Sequence, residues 1–276
     1  MQKNLGKAGA VFLAAAIAVT CVVATEAVAA PNIQSALIKT RIFNDDPSST
    51  ILTTNNYPTL ISIDETLGTA PTGTFANRHN FRLSSDPFPA AAAASFQNGD
   101  KFSFAADLTI SGTGNGEAGI GISPWYSPDV DGVFNFRTTD GEIACFGGRL
   151  PFYNFTASQG LHYVKGTTVR AGFNYDPHSL TAADPATIEY TLTIGGTDYS
   201  SGILQFNEGN PAEDPPHGLW GILDPSFVGG NMQHFLSGGP GSTFVTTWEN
   251  ISYTPEPASL ALLGLGALTV VRRRRR

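Results

Sequence analysis

The ten residues KFSFAADLTI, Lys101–Ile110, decide how the rest of the chain is read. Phe102, Phe104, Ala106, Leu108 and Ile110 fall on one face, and Ser103, Asp107 and Thr109 on the other. Successive side chains of a strand point to opposite sides, so period two marks a strand with one face in a core and one in water. VRAGFNY (169–175) repeats the pattern with Val169, Ala171, Phe173 and Tyr175, and IEYTLTI (188–194) with Ile188, Tyr190, Leu192 and Ile194. Working outward, ALIKTRIF, TLISIDE, AGIGIS, VFNFRT, GEIACF, GILQF, GLWGIL and TFVTTWENISY read as further strands. The breaks between them carry Gly-Asn-Gly, Asp-Gly, Asp-Pro and Gly-Gly, which are turn chemistry. FPAAAAASF is short and flanked by proline, so it reads as a loop or a single helical turn. With no repeat of fixed period, the expectation is one all-β domain over residues 30–253. Its strands should form a two-sheet antiparallel β-sandwich of jelly-roll type.

Composition agrees with that reading. The 276 residues include eighteen Phe, thirty Gly and eighteen Pro but only 14% charged residues. The formal charge of −7 conceals an asymmetry, because Lys3, Lys7 and Arg272 to Arg276 lie at the extremities. Between Pro31 and Thr254 nine basic residues face twenty-one acidic ones, a net of −12. Such a body repels phosphate backbones and argues against nucleic acid as a partner. Of two cysteines, Cys21 lies in the leading apolar run, so Cys145 has no partner for a bridge and reads as a small buried strand residue.

The two ends read as addresses. Lys3 and Lys7 precede an apolar run from Ala8 to Ala24, and Ala27-Val28-Ala29 has the small-x-small form of a processing site. Residues 1–29 are therefore expected to be a signal peptide cut after Ala29. At the other end, fourteen residues from Ala258 to Val271 would span about 21 Å as a helix. A bilayer core is roughly 30 Å thick and usually takes about 20 residues, so the segment is short for a permanent span. The five arginines behind it are a stop-transfer signal that holds the extreme C-terminus on the cytoplasmic side. Pro255 and Pro257 keep the preceding link extended.

Pro255-Glu256-Pro257, Ala258-Ser259, the apolar run and the arginine cluster resemble, in that order, the PEP-CTERM sorting tail, over residues 254–276. The resemblance implies an exported protein of a Gram-negative bacterium that makes extracellular polysaccharide. It also implies recognition by an exosortase, with only transient residence of the apolar sorting helix in the inner membrane. The end of the body, with Trp248-Glu249-Asn250-Ile251 leading into the label, resembles the last strand of concanavalin A-like or laminin-G-like sandwiches. That points to a concanavalin A-like sandwich and assigns no ligand.

A glycosidase on such a fold needs two carboxylates about 5–5.5 Å or roughly 6.5–9.5 Å apart. No Glu-x-Asp-x-x-Glu run is present, nor a Gly-x-Ser-x-Gly elbow, and His79, His162, His178, His217 and His234 lack metal-ligand spacing. The expectation is a non-enzymatic, surface-sorted protein associated with extracellular polysaccharide or the cell envelope. An extracellular carbohydrate-active hydrolase and a structural matrix protein without a specific ligand are the alternatives. Trp125, Tyr126 and Trp220 are the candidate sugar-stacking aromatics. Asp129 and Asp131, before Gly132, offer oxygens to calcium, although two carboxylates supply only part of the six to eight ligands it takes.

If the tail is a sorting label, mass spectrometry of the surface-associated protein will find a C-terminus without Arg272 to Arg276. Recovery of those arginines on the cell surface would remove the processing reading.

Overall fold

The computed structural model describes residues 30–123, 130, 132–207 and 220–255. Among these residues, fourteen strands form two seven-stranded antiparallel sheets. They are β1 (Ser35–Asn44), β2 (Thr50–Asn56), β3 (Leu60–Thr66), β4 (Ala76–Ser84), β5 (Phe102–Ser111), β6 (Gly116–Ser123) and β7 (Gly132–Arg137). Then follow β8 (Ile143–Phe146), β9 (Tyr153–Asn154), β10 (Thr168–Asp176), β11 (Thr187–Ile194), β12 (Thr197–Gln205), β13 (Phe227–Phe235) and β14 (Thr243–Pro255). One sheet has the order β1-β4-β13-β6-β7-β8-β9, the other β12-β11-β10-β5-β14-β3-β2. A short helix, α1 (Phe155–Gln159), follows β9; Asn154 caps it, and Gly160 in the left-handed region ends it.

The strand pattern is a jelly-roll sandwich, as KFSFAADLTI implies. Phe102, Phe104, Ala106, Leu108 and Ile110 are buried in the core, and the residues between them are partly exposed. Cys145 on β8 is buried in the same core, and burial pushes its thiol pKa well up. The described part of GLWGIL, residues 220–223, is not a strand: Trp220 stands in a loop at φ 54. Four strands escape an alternation reading, and two of them, β4 and β13, lie side by side in the first sheet. Residues 1–29 and 256–276, which hold the signal peptide and most of the sorting tail, lie outside the described residues.

Two devices lock the sheets together. Trp248 on β14 is fully buried, meets Phe81 of β4 edge-on at 5.1 Å, and donates its indole N–H to the Gly119 carbonyl at 3.0 Å. Gly230 makes the room, since a Cβ there would stand 2.4 Å from the Phe81 ring. Two residues on, Asn250 takes a left-handed φ of 48 at a bulge and ties its amide to Asp107 Oδ2 at 2.8 Å.

The second device is polar. Glu65 of β3 is wholly buried, and its Oε1 accepts from Ser49 Oγ at 2.7 Å and Asn77 Nδ2 at 2.6 Å. Its Oε2 lies 3.3 Å from His79 Nε2 on β4 and 3.3 Å from His234 Nδ1 on β13. The Arg41 amide donates to His79 Nδ1 at 2.9 Å, which leaves the ring proton on Nε2, facing the carboxylate. Burial pushes the Glu65 pKa up, but the surrounding imidazoles of His234 and His79 and the Asn77 amide outweigh it and hold it well below the usual range.

A carboxyl depressed in the folded state stabilises fully above its unfolded pKa and progressively less as pH falls below it. The melting-temperature gap between wild type and Glu65→Gln should therefore be constant at neutral pH and shrink below the ordinary glutamate range. Glu65→Ala leaves the donors of Ser49, Asn77, His79 and His234 buried around an empty place and should cost about 3–5 kcal/mol by urea denaturation.

Candidate functional site

Alternation along β4 sends Phe81 and Leu83 inward, so Arg78, Asn80 and Arg82 face out of the sandwich, yet all three are buried. The same holds for Asn231 and Gln233 on β13 and for Asn135 on β7. Register arranges these outward residues in three rows across β4, β13, β6 and β7. The first is Arg78, Gln233, Glu117 and Arg137; the second is Asn80, Asn231, Gly119 and Asn135. The third is Arg82, Gly229, Gly121 and Val133. Glycine at 119, 121 and 229 leaves the middle of the face without side chains, a trough with polar walls.

Hydrogen bonds run along the first row and cross from Glu117 into the second. Arg78 donates to Gln233 Oε1 at 3.2 Å, Gln233 Nε2 donates to Glu117 Oε1 at 3.2 Å, and Asn135 Nδ2 donates to Glu117 Oε2 at 2.7 Å. Glu117 is thereby fixed as an acceptor, and the amides on either side are fixed in orientation. Asn231, in the second row, differs. It is 1% exposed, and neither its amide nitrogen nor its oxygen has a hydrogen-bond partner among the described residues. The Asn135 oxygen is in the same position. Buried amides without partners are costly and uncommon in native proteins.

These residues line a cavity of about 280 Å3, which is bordered by Phe43, Phe75 and Phe146. Phe75 is 60% exposed and leans on Phe235 with ring centroids 5.8 Å apart, so one face of its ring is supported and the other is open to a ligand. A second hollow, flanked by Leu37, Lys39, Arg82 and Ala91 to Ala93, continues along the same sheet.

Of the aromatic and acidic residues expected from sequence, Trp220 is described, and it does not line this groove. Trp220 is half-buried in its loop, where its carbonyl accepts from the Ala186 amide at 2.8 Å. Trp125, Tyr126, Asp129 and Asp131 lie outside the described residues, as do Glu256 and Pro257, while Pro255 closes β14 opposite Phe102. Among the described residues no group of three His, Cys, Asp or Glu is placed to hold a metal ion. His79 and His234, far apart in sequence, do meet, but around Glu65 on the inner side of the sheet.

Residues 254–276 match the PEP-CTERM protein-sorting motif. The chain carries a PEP-CTERM sorting tail. No curated protein matches the sequence. Among solved structures, the chain is similar to the alginate lyase from Klebsiella pneumoniae, with a TM-score of 0.44 and 9% identity, over 74% of this chain and 84% of that one. It is also similar to the legume lectin-like domain from Entamoeba histolytica, with a TM-score of 0.36 and 12% identity, over 81% and 91% of the two chains. Arcelin-5, a lectin-like defense protein from Phaseolus vulgaris, aligns with a TM-score of 0.35 and 12% identity, over 76% and 100%. The PEP-CTERM tail marks an exported protein that is processed at the membrane and sorted to the surface, and its body is a two-sheet antiparallel β-sandwich.

The expectation that the protein is not an enzyme is corrected by these neighbours, which include alginate lyases. It rested on the missing carboxylate pair of a glycosidase, and that absence speaks to one chemistry only.

The glycines of the trough are also required by the sheet itself. A Cβ on Gly119 would lie 1.9 Å from the Phe134 carbonyl oxygen, and one on Gly229 1.9 Å from that of Phe81. Gly119→Ala and Gly229→Ala should each lower stability by about 1–3 kcal/mol, read as a drop in denaturation midpoint. Gly99→Ala, where a Cβ meets nothing within 4 Å, is the control.

Proposed function

We propose that the protein binds extracellular polysaccharide in the groove on the outer face of β4, β13, β6 and β7, at the surface of a Gram-negative cell. The observation that carries this reading is Asn231, a buried amide with both atoms unpaired, set in a row of oriented polar groups. A ligand rich in hydroxyls supplies donors and acceptors to such atoms at once. Sugar rings also have apolar faces, and Phe75 offers a supported, exposed ring at the edge of the groove. Export and sorting bring the body to where polysaccharide is abundant. An exosortase is the partner for the tail, whose apolar run is held in the membrane until the label is processed. The net charge of −12 on the body disfavours phosphate-backbone ligands.

The test separates binding from folding. Asn231→Leu removes an unpaired buried amide, so it should melt at or above the wild-type temperature, yet lose retention on host polysaccharide. Phe75→Ala should weaken retention on the order of tenfold, the effect of about 1.4 kcal/mol at an aromatic contact. Wild-type retention by both variants would place the ligand elsewhere.

A further inference from the structure

We infer that the tip of the loop between β4 and β5, Pro87-Phe88-Pro89, rests on the lipid surface while the C-terminal apolar run is in the membrane. The inference rests on the sorting-tail reading above and adds an orientation and a contact to it.

The first argument is reach. β14 ends at Pro255, paired with Phe102 at the start of β5, and the apolar run begins at Ala258. Three peptide steps span at most about 11 Å, so the end of the sandwich that holds Pro255 cannot stand farther than that from the inserted run.

The second is placement. Phe96, which closes the loop, packs its ring 5.8 Å from Tyr253 and 4.9 Å from Phe102, and bridges to Ser226 beside the start of β13. On the other side the Ala94 amide donates to the Leu83 carbonyl at 2.8 Å. The loop therefore leaves from the same end as the tail.

The third is the chemistry of the tip. Phe88 is 67% exposed, and Pro87, Pro89, Ala91 and Ala92 are exposed beside it. No charged residue occurs from Pro87 to Ser95. Asp86 turns inward, accepting from the Ala91 amide at 3.1 Å and the Ala92 amide at 2.9 Å. Ser84 Oγ donates to the Ala92 carbonyl and Ser35 Oγ to the Asp86 carbonyl, which braces the loop. A stiff loop that holds out an aromatic ring between prolines exposes apolar area that water disfavours and a lipid interface accepts. The acidic body is repelled by anionic headgroups, so an uncharged tip is the part able to make close contact.

The experiment uses the exported form, Ala30–Arg276, in phosphatidylcholine vesicles. Phe88→Cys carries an environment-sensitive fluorophore, and Cys145 is buried and stays unlabelled. Val164→Cys is the control, because Val164 is 62% exposed and precedes β10, whose first residue pairs with Thr109 near the far end of β5. Flotation with the vesicles, lost on deletion of residues 258–276, reports tail insertion independently of the label. The expected result is a blue shift and quenching by brominated lipid chains at position 88, with neither at position 164. A floating protein whose label at position 88 stays in a water-like environment overturns the contact and leaves the tail reading intact. Failure to float removes both. A blue shift that grows with protein concentration without lipid would assign the tip to a second copy of the chain and also overturn the inference.

Discussion

The sandwich depends on how a single buried carboxylate is satisfied. Glu65 belongs to one sheet, while Asn77, His79 and His234 belong to the other, and all three address its two oxygens. An ion in a low-dielectric interior is tolerated only when its lone pairs are met, so the partners cannot drift without a large penalty. The cluster thereby fixes the height of β4 against β13 and of both against β3. Arg78 and Gln233 alternate with those inward residues on the same strands, so the groove inherits the precision of the cluster beneath it. Trp248 does the same for the next row, because its indole holds the carbonyl of Gly119, which lies in the floor.

A polar sheet face on a protein of this kind has two readings, wetted surface and binding floor, and burial separates them. Solvated asparagines need no explanation, whereas Asn231 at 1% exposure with two unpaired atoms does. The chain of bonds beside it shows what pairing looks like, with Arg78, Gln233, Glu117 and Asn135 linked in sequence. Side chains held in orientation by these bonds thus flank an amide that has none.

The sequence revealed the apolar half of this architecture and concealed the polar half, for the same reason. KFSFAADLTI, VRAGFNY and IEYTLTI alternate because one face meets the core and the other water. ANRHNFRLS and FVGGNMQHF show no such alternation, because their inward face carries Asn77, His79 and His234 as well as Phe81 and Met232, while their outward face lines the groove. Polar residues on both sides erase period two, so the strands that build the site were the ones least legible. The aromatic residues chosen from sequence were those in proline-rich loops, whereas Phe75, at the edge of a strand, looks like any core phenylalanine. GLWGIL misleads in the opposite way, since its Ile222 and Leu223 are buried in a loop rather than along a strand. The tail was legible in full, because a sorting label is read as a linear string and needs no fold to display it.

The direct passage of β14 into the label has a mechanical consequence. A body held by its C-terminus receives any pull along the axis of β14, which is hydrogen-bonded on both flanks, to β5 and to β3. Force along a strand with neighbours on both sides loads its cross-strand bonds together in shear instead of peeling them one at a time. Drag on a ligand held in the proposed groove would enter through the opposite sheet and reach β14 through the Phe81–Trp248 contact and the indole bond to Gly119. The load path between ligand and anchor therefore crosses the centre of the core and bypasses the outer strands of both sheets.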